Sequence, residues 1–182
     1  KRWNRQNELL ADAAERAAVL ADWLGAAEYP RARLTEAWTR FLWHQFHDDL
    51  TGTSIPQVYT FTANDEVLAL GEFAGVLTDA VGGLARALDT RAGGVPVVVY
   101  NALSTARCDV VEATVTFDGP APAAVEVLDP AGRAVPAQVT WSAGARAHVV
   151  FAATVPAVGL AVYDVRPAAA AGDGGALRVS AE

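Results

Sequence analysis

Asp89-Thr90-Arg91-Ala92-Gly93-Gly94 is where the hydrophobic rhythm of this 182-residue chain changes. Before it, apolar residues recur at spacings of three and four, the mark of helices with one buried face. After it, short valine-rich runs alternate with turn signals at intervals near ten residues, as in an antiparallel sandwich. The expected architecture is therefore multidomain α+β. A three-helix bundle takes residues 1–90, a linker 91–94, and an antiparallel β-sandwich 95–167. Residues 168–182 read as a low-complexity connector, Ala168-Ala169-Ala170-Ala171-Gly172-Asp173-Gly174-Gly175, and then the first strand of a further β-domain.

Towards the amino terminus, residues 3 to about 25 read as a helix. Its apolar stripe is Leu10, Ala13, Ala17, Leu20 and Leu24, and Gly25 ends it. A second helix starts near 31–35 and turns Leu34, Trp38, Phe41, Leu42 and Gln45 inward, with Trp43 and Phe46 open to either core or pocket. The third helical region would be on the order of 50 Å long if unbroken. Thr62, Asn64, Asp65 and Glu66 offer a restart, so a short turn at 56–60 and a longer helix from about 63 to 89 are expected. Phe73, Leu77, Val81, Leu84 and Leu88 form its buried stripe, weakened locally by Gly82-Gly83. Towards the carboxyl terminus, strands are expected at 96–101, 109–117, 124–128, 138–142, 147–152 and 159–165. His148 falls inside a strand pattern and reads as structural.

The chemistry-bearing stretch is His44-Gln45-Phe46-His47-Asp48-Asp49-Leu50-Thr51-Gly52-Thr53-Ser54-Ile55, which holds two of the three histidines. On helical spacing His44, His47 and Asp48 share one face. Gly52 suits the left-handed end of one helix, and Thr53 or Ser54 can cap the next, with Pro56 in its first turn. Catalytic zinc takes three protein ligands and an open position. Three side chains from one helix, unsupported by a second element, are not a self-sufficient site.

A net charge of −7 and a pI near 4.9, without a basic cluster, argue against nucleic acid and anionic membranes as partners. Cys108 is the single cysteine, so there is no intrachain disulfide and no zinc-finger spacing. No apolar run approaches the roughly 20 residues that span a bilayer, and no signal peptide opens the chain, which reads as cytoplasmic. Both ends, Lys1-Arg2-Trp3 and Leu177-Arg178-Val179-Ser180-Ala181-Glu182, suggest a piece of something longer.

The stretch from Trp43 to Tyr59 closely resembles the NQFHDILPGTSIPEVY signature of α-mannosidases in glycoside hydrolase family 38. Val97-Val98-Val99-Tyr100-Asn101-Ala102-Leu103-Ser104, with Arg107 and Asp109-Val110-Val111, is similar to the VVVFNPLSWxRxDVV strand that opens a β-domain in that family. The resemblance implies a retaining zinc-dependent hydrolase of α-mannosidic bonds, with His47 as one zinc ligand and Asp48 on mannose hydroxyls. The other zinc ligands, the nucleophile and the acid/base residue are implied to lie in an N-terminal catalytic domain of the same parent chain. No catalytic residue is then expected in this segment, which should be inactive alone. A homo-oligomeric parent is compatible with this. His44 stands where the signature has asparagine, and reads as supporting or structural. Asp49 stands where it has an apolar residue, and reads as solvent-facing or, as the second choice, as support for the metal from behind its ligands. Ala102 and Thr105 replace the commoner proline and tryptophan. Two other classes stay open: a non-catalytic interaction or carbohydrate-binding module, and a related glycosidase with a different substrate.

Overall fold

The computed structural model describes residues 2–169, so the strand expected at 177–181 lies outside the described residues. The chain divides into two compact units, one ending at Leu88 and one starting at Asp89.

The first unit has four helices rather than three: α1 (Arg2–Trp23), α2 (Arg31–Trp43), α3 (His47–Thr51) and α4 (Pro56–Ala87). α1 stops at Gly25, whose φ of 68° lets its N–H reach the Asp22 carbonyl and the Ala26 N–H that of Ala21. α4 is continuous, without the expected break near residue 61. Thr62 does not cap a restart, because its hydroxyl bonds back to the Val58 carbonyl at 3.1 Å.

The buried faces of α1 and α4 share Ala17, Phe73 and Leu84 with the stripes expected and otherwise differ from them. On α1 they are Asn7, Ala11, Ala14, Ala17, Ala18 and Ala21, while Leu24 lies exposed beyond the helix end. This alanine face packs on α4, which buries Ala69, Phe73, Val76, Ala80, Gly83 and Leu84. Small side chains let the two backbones approach closely. Gly83 is part of that approach, since a Cβ there would stand 2.9 Å from the Ala26 carbonyl oxygen. Gly83 thus serves packing as well as weakening the helix. Phe73 sits edge-on to Trp38 and Phe41, with ring centroids 5.5 and 6.5 Å away. The Trp38 indole N–H donates to Glu15 at 2.6 Å, and Glu15 also accepts the Tyr29 hydroxyl at 2.7 Å, which ties α1 to α2. Leu42, expected inside, is exposed.

By length and composition α4 passes for a membrane span, a correction to the sequence reading. Its apolar length serves the bundle seam, and its other faces carry Asp65, Glu72 and Asp79, each in an ion pair with Arg33 or Arg40.

The second unit is two antiparallel sheets over one core. The first has order β1-β7-β3-β4, from β1 (Val95–Asn101), β7 (Gly159–Ala168), β3 (Ala124–Leu128) and the short β4 (Ala134–Val135). The second has order β2-β6-β5, from β2 (Arg107–Thr116), β6 (Arg146–Val155) and β5 (Ala137–Ala143). β4 escaped the sequence reading because two residues are too few to show alternation. Alternate residues of both sheets, among them Val115, Val127, Val149, Phe151, Tyr163 and Val165, form the shared core. Asn101 is buried there. Its amide donates to the Thr105 and Pro156 carbonyls at 2.9 Å, and its oxygen accepts the Leu103 N–H. This signature asparagine pins two loops together. Cys108 is exposed on β2. His148 stacks on Trp141 and bonds the Thr140 hydroxyl.

Candidate functional site

The site is built where α2 fails to continue. The Leu42 carbonyl accepts both the His44 and Gln45 N–H groups, which tightens the last turn. Phe46 is then extended, with ψ 140°, and α3 starts at His47 in a new direction. Spacing counted along one helix therefore misplaces these side chains. His44 turns inward with 4% of its side chain exposed, whereas His47 turns outward with 76% exposed. The expected common face of His44, His47 and Asp48 does not form.

Gly52 ends α3 in the left-handed region, with φ 92°. The Asp48 carbonyl then accepts three N–H groups, from Gly52, Thr53 and Ser54. Neither Thr53 nor Ser54 caps α4, whose preceding residue is Ile55 with Pro56 at the first position. Both hydroxyls turn back to the aspartates: Thr53 donates to Asp48 at 2.8 Å and Ser54 to Asp49 at 2.7 Å. Tyr59 closes the loop, its oxygen accepting the Ser54 N–H at 2.9 Å while its hydroxyl donates to the Asp48 carbonyl.

Asp49, expected to face solvent, is 7% exposed. One of its oxygens lies 2.9 Å from His44 Nδ1 and also accepts from Thr62. His44 Nε2 lies 3.2 Å from Asp65, which Arg40 also holds at 2.8 Å. A neutral imidazole has one N–H and would set a lone pair against one carboxylate; only the imidazolium donates to both. Burial pulls the His44 pKa down, but its hydrogen bonds to Asp49 and Asp65 and their charges outweigh it, and the net shift is upward. The same ring holds the Asp49 and Asp65 carboxyls below the usual range, with help from Ser54 and Arg40 respectively.

His47 and Asp48 are left as the outward pair. Their nearest nitrogen and oxygen are 3.6 Å apart, Asp48 is 47% exposed, and the Phe46 ring lies 4.2 Å from the imidazole. Leu42, Trp43, Phe46 and Ile55 are exposed nearby in sequence, so Trp43 and Phe46 are not core. Among the described residues no group of three or more His, Cys, Asp or Glu could hold a metal ion. His47 fits one imidazole donor to a zinc, a position its outward ring leaves accessible, and zinc takes three or more protein donors. A cleft of about 640 Å³ lies elsewhere, in the second unit. Its arginines are already paired within the unit, Arg91 with Asp89 and Arg166 with Asp164.

Residues 1–84 match the family model of the alpha mannosidase middle domain. The matched residues fall within the helical unit. The structure is similar to that of a glycosyl hydrolase family 38 protein from Enterococcus faecalis, with a TM-score of 0.77 and 19% identity over 94% of this chain. It is also similar to an alpha-mannosidase from Enterococcus faecalis V583, with a TM-score of 0.69 and 17% identity over 91% of this chain. The chain spans 25% and 23% of those two proteins, so it corresponds to about a quarter of each. No curated protein matches it. Within the helical unit, His47 and Asp48 occupy the one-turn helix between its two longer neighbours, and sequence reasoning missed that turn because five residues carry too little periodicity.

Proposed function

We propose that this chain is the middle-domain and first β-domain portion of a retaining, zinc-dependent α-mannosidase. His47 contributes one ligand to the zinc and Asp48 accepts hydrogen bonds from mannose hydroxyls. The observation that carries this is the match of residues 1–84 to the middle-domain family, with His47 and Asp48 lifted outward on α3. Neutral imidazole nitrogen suits zinc, which would polarise and grip vicinal sugar oxygens when bound. A carboxylate beside it makes charge-assisted hydrogen bonds to hydroxyls. Retaining glycosidases need two carboxyl groups about 5 Å apart across the scissile bond. The aspartates near His47 do not serve: Asp49 and Asp65 are committed to His44, and Asp48 is the substrate contact. The resemblance to the family implies that the nucleophile, the acid/base residue and the other zinc ligands lie in an N-terminal domain of the parent chain.

Hydrolysis of an aryl α-mannoside by the full-length protein, compared with the 182-residue chain, tests the assignment. The full-length protein should turn over and the chain alone should not. Turnover by the isolated chain well above background would overturn the division of labour, and a full-length protein inert on mannosides would overturn the activity. Asp48→Asn should raise KM while leaving zinc content near wild type; ordinary kinetics would count against its contact with sugar.

A further inference from the structure

His44, Asp49 and Thr51 depart from the family signature within the site stretch, and the first two touch each other at 2.9 Å. We propose that these two are one change: a buried His44–Asp49 pair, anchored on Asp65, that positions the His47–Asp48 turn from beneath. The proposal rests on the reading of His47 as a zinc ligand.

The geometry argues for positioning over simple burial. His44 closes α2, Asp49 lies in the middle of α3, and Asp65 lies on α4, so one ring fastens all three helices that meet at the turn. α3 is a single turn, too short to hold its own conformation. Its orientation therefore depends on what grips it. The grip falls on Asp49, two residues past His47, and through Ser54 and Thr62 it reaches the far side of the turn and α4. His47 itself has no hydrogen bond that would fix its ring; its side-chain neighbours are Phe46 and, at 3.6 Å, Asp48. Its placement is thus inherited from the backbone that Asp49 anchors.

The pair also explains why either departure alone would be costly. Asparagine at 44 with aspartate at 49 leaves a buried carboxylate without its cation. An apolar residue at 49 with histidine at 44 leaves a buried imidazole nitrogen facing no acceptor. Changed together, asparagine can still donate to Asp65 and the apolar side chain needs no partner.

The test uses the full-length protein with His44→Asn, Asp49→Leu and the double substitution. Zinc affinity is read by chelator competition, and amide exchange of residues 47–54 is read by mass spectrometry on zinc-free protein. Each single substitution should weaken zinc binding by about tenfold, the lower range for groups that orient a ligand. Each should also speed exchange in 47–54 without changing α1, and the double should restore both readouts to near wild type. Singles that match wild type, or a double no better than the worse single, would overturn the pairing. Wild-type protein that binds no zinc but shows the same exchange pattern would overturn the zinc reading and leave the clamp standing. Should His44→Asn not fold, Ser54→Ala and Asp65→Asn each remove one arm and carry the same readouts.

Discussion

Replacing Phe73 by alanine should cost the helical unit about 4–5 kcal/mol. The ring is fully buried on α4 and meets Trp38 and Phe41 edge-on. Phenylalanine-to-alanine changes in cores cost about 3–5 kcal/mol, from lost transfer energy and the cavity left behind. Each aromatic pair adds about 0.5–1.5 kcal/mol beyond area. The neighbours decide where in that range the site falls. The face of α1 that packs on α4 is mostly alanine, which has no rotamers with which to refill space, so the cavity should persist and the upper end applies. That is a large share of the roughly 5–15 kcal/mol a domain possesses. Urea unfolding followed by tryptophan fluorescence reads it well, because Trp3, Trp23, Trp43 and Trp141 are exposed and Trp38, against Phe73, is not. Phe73→Leu, which keeps most of the volume, should lose much less. A loss below about 2 kcal/mol for Phe73→Ala would refute the claim that this aromatic cluster is the hub of an alanine-lined core.

Other expectations bear on the turns and the clamp. Gly52→Ala should cost about 1–2 kcal/mol and speed amide exchange in 47–54, since φ is 92° there; a neutral melting temperature would contradict it. Val158 holds φ 41° without being glycine, so Val158→Gly should raise the sandwich melting temperature, by about 1 kcal/mol of relieved strain; a destabilised variant would show that its packing outweighs the strain. His44 has a raised pKa, so folding favours its protonated form. The stability it contributes is complete below the ordinary histidine pKa of about 6.5 and is lost as pH rises through the higher folded value. Unfolding of wild type against His44→Gln from pH 6 to 8 should show wild type losing its advantage, and parallel curves would contradict the charged ring.

The division into helices and valine-rich strands was legible because the two periodicities differ so plainly on either side of Asp89–Gly94. The faces within the helices were less so. On α1, leucines at 10, 20 and 24 and alanines at 11, 14, 18 and 21 form neighbouring stripes, and hydrophobicity favours the leucines while close approach to α4 selects the alanines. The site was read from spacing that assumes one unbroken helix, and the break at Phe46 sends His44 inward and His47 outward. Asp49 looked solvent-facing because its partner, five residues back, comes within reach only across that break. The rest of a zinc centre was beyond any reading of these residues, since one outward imidazole says nothing of its co-ligands.

The most direct measurement is the zinc content of the full-length protein carrying His47→Ala, determined by elemental analysis after purification beside wild type. The account predicts that zinc and α-mannosidase activity fall together while the helical unit stays folded. Zinc content equal to wild type would contradict it.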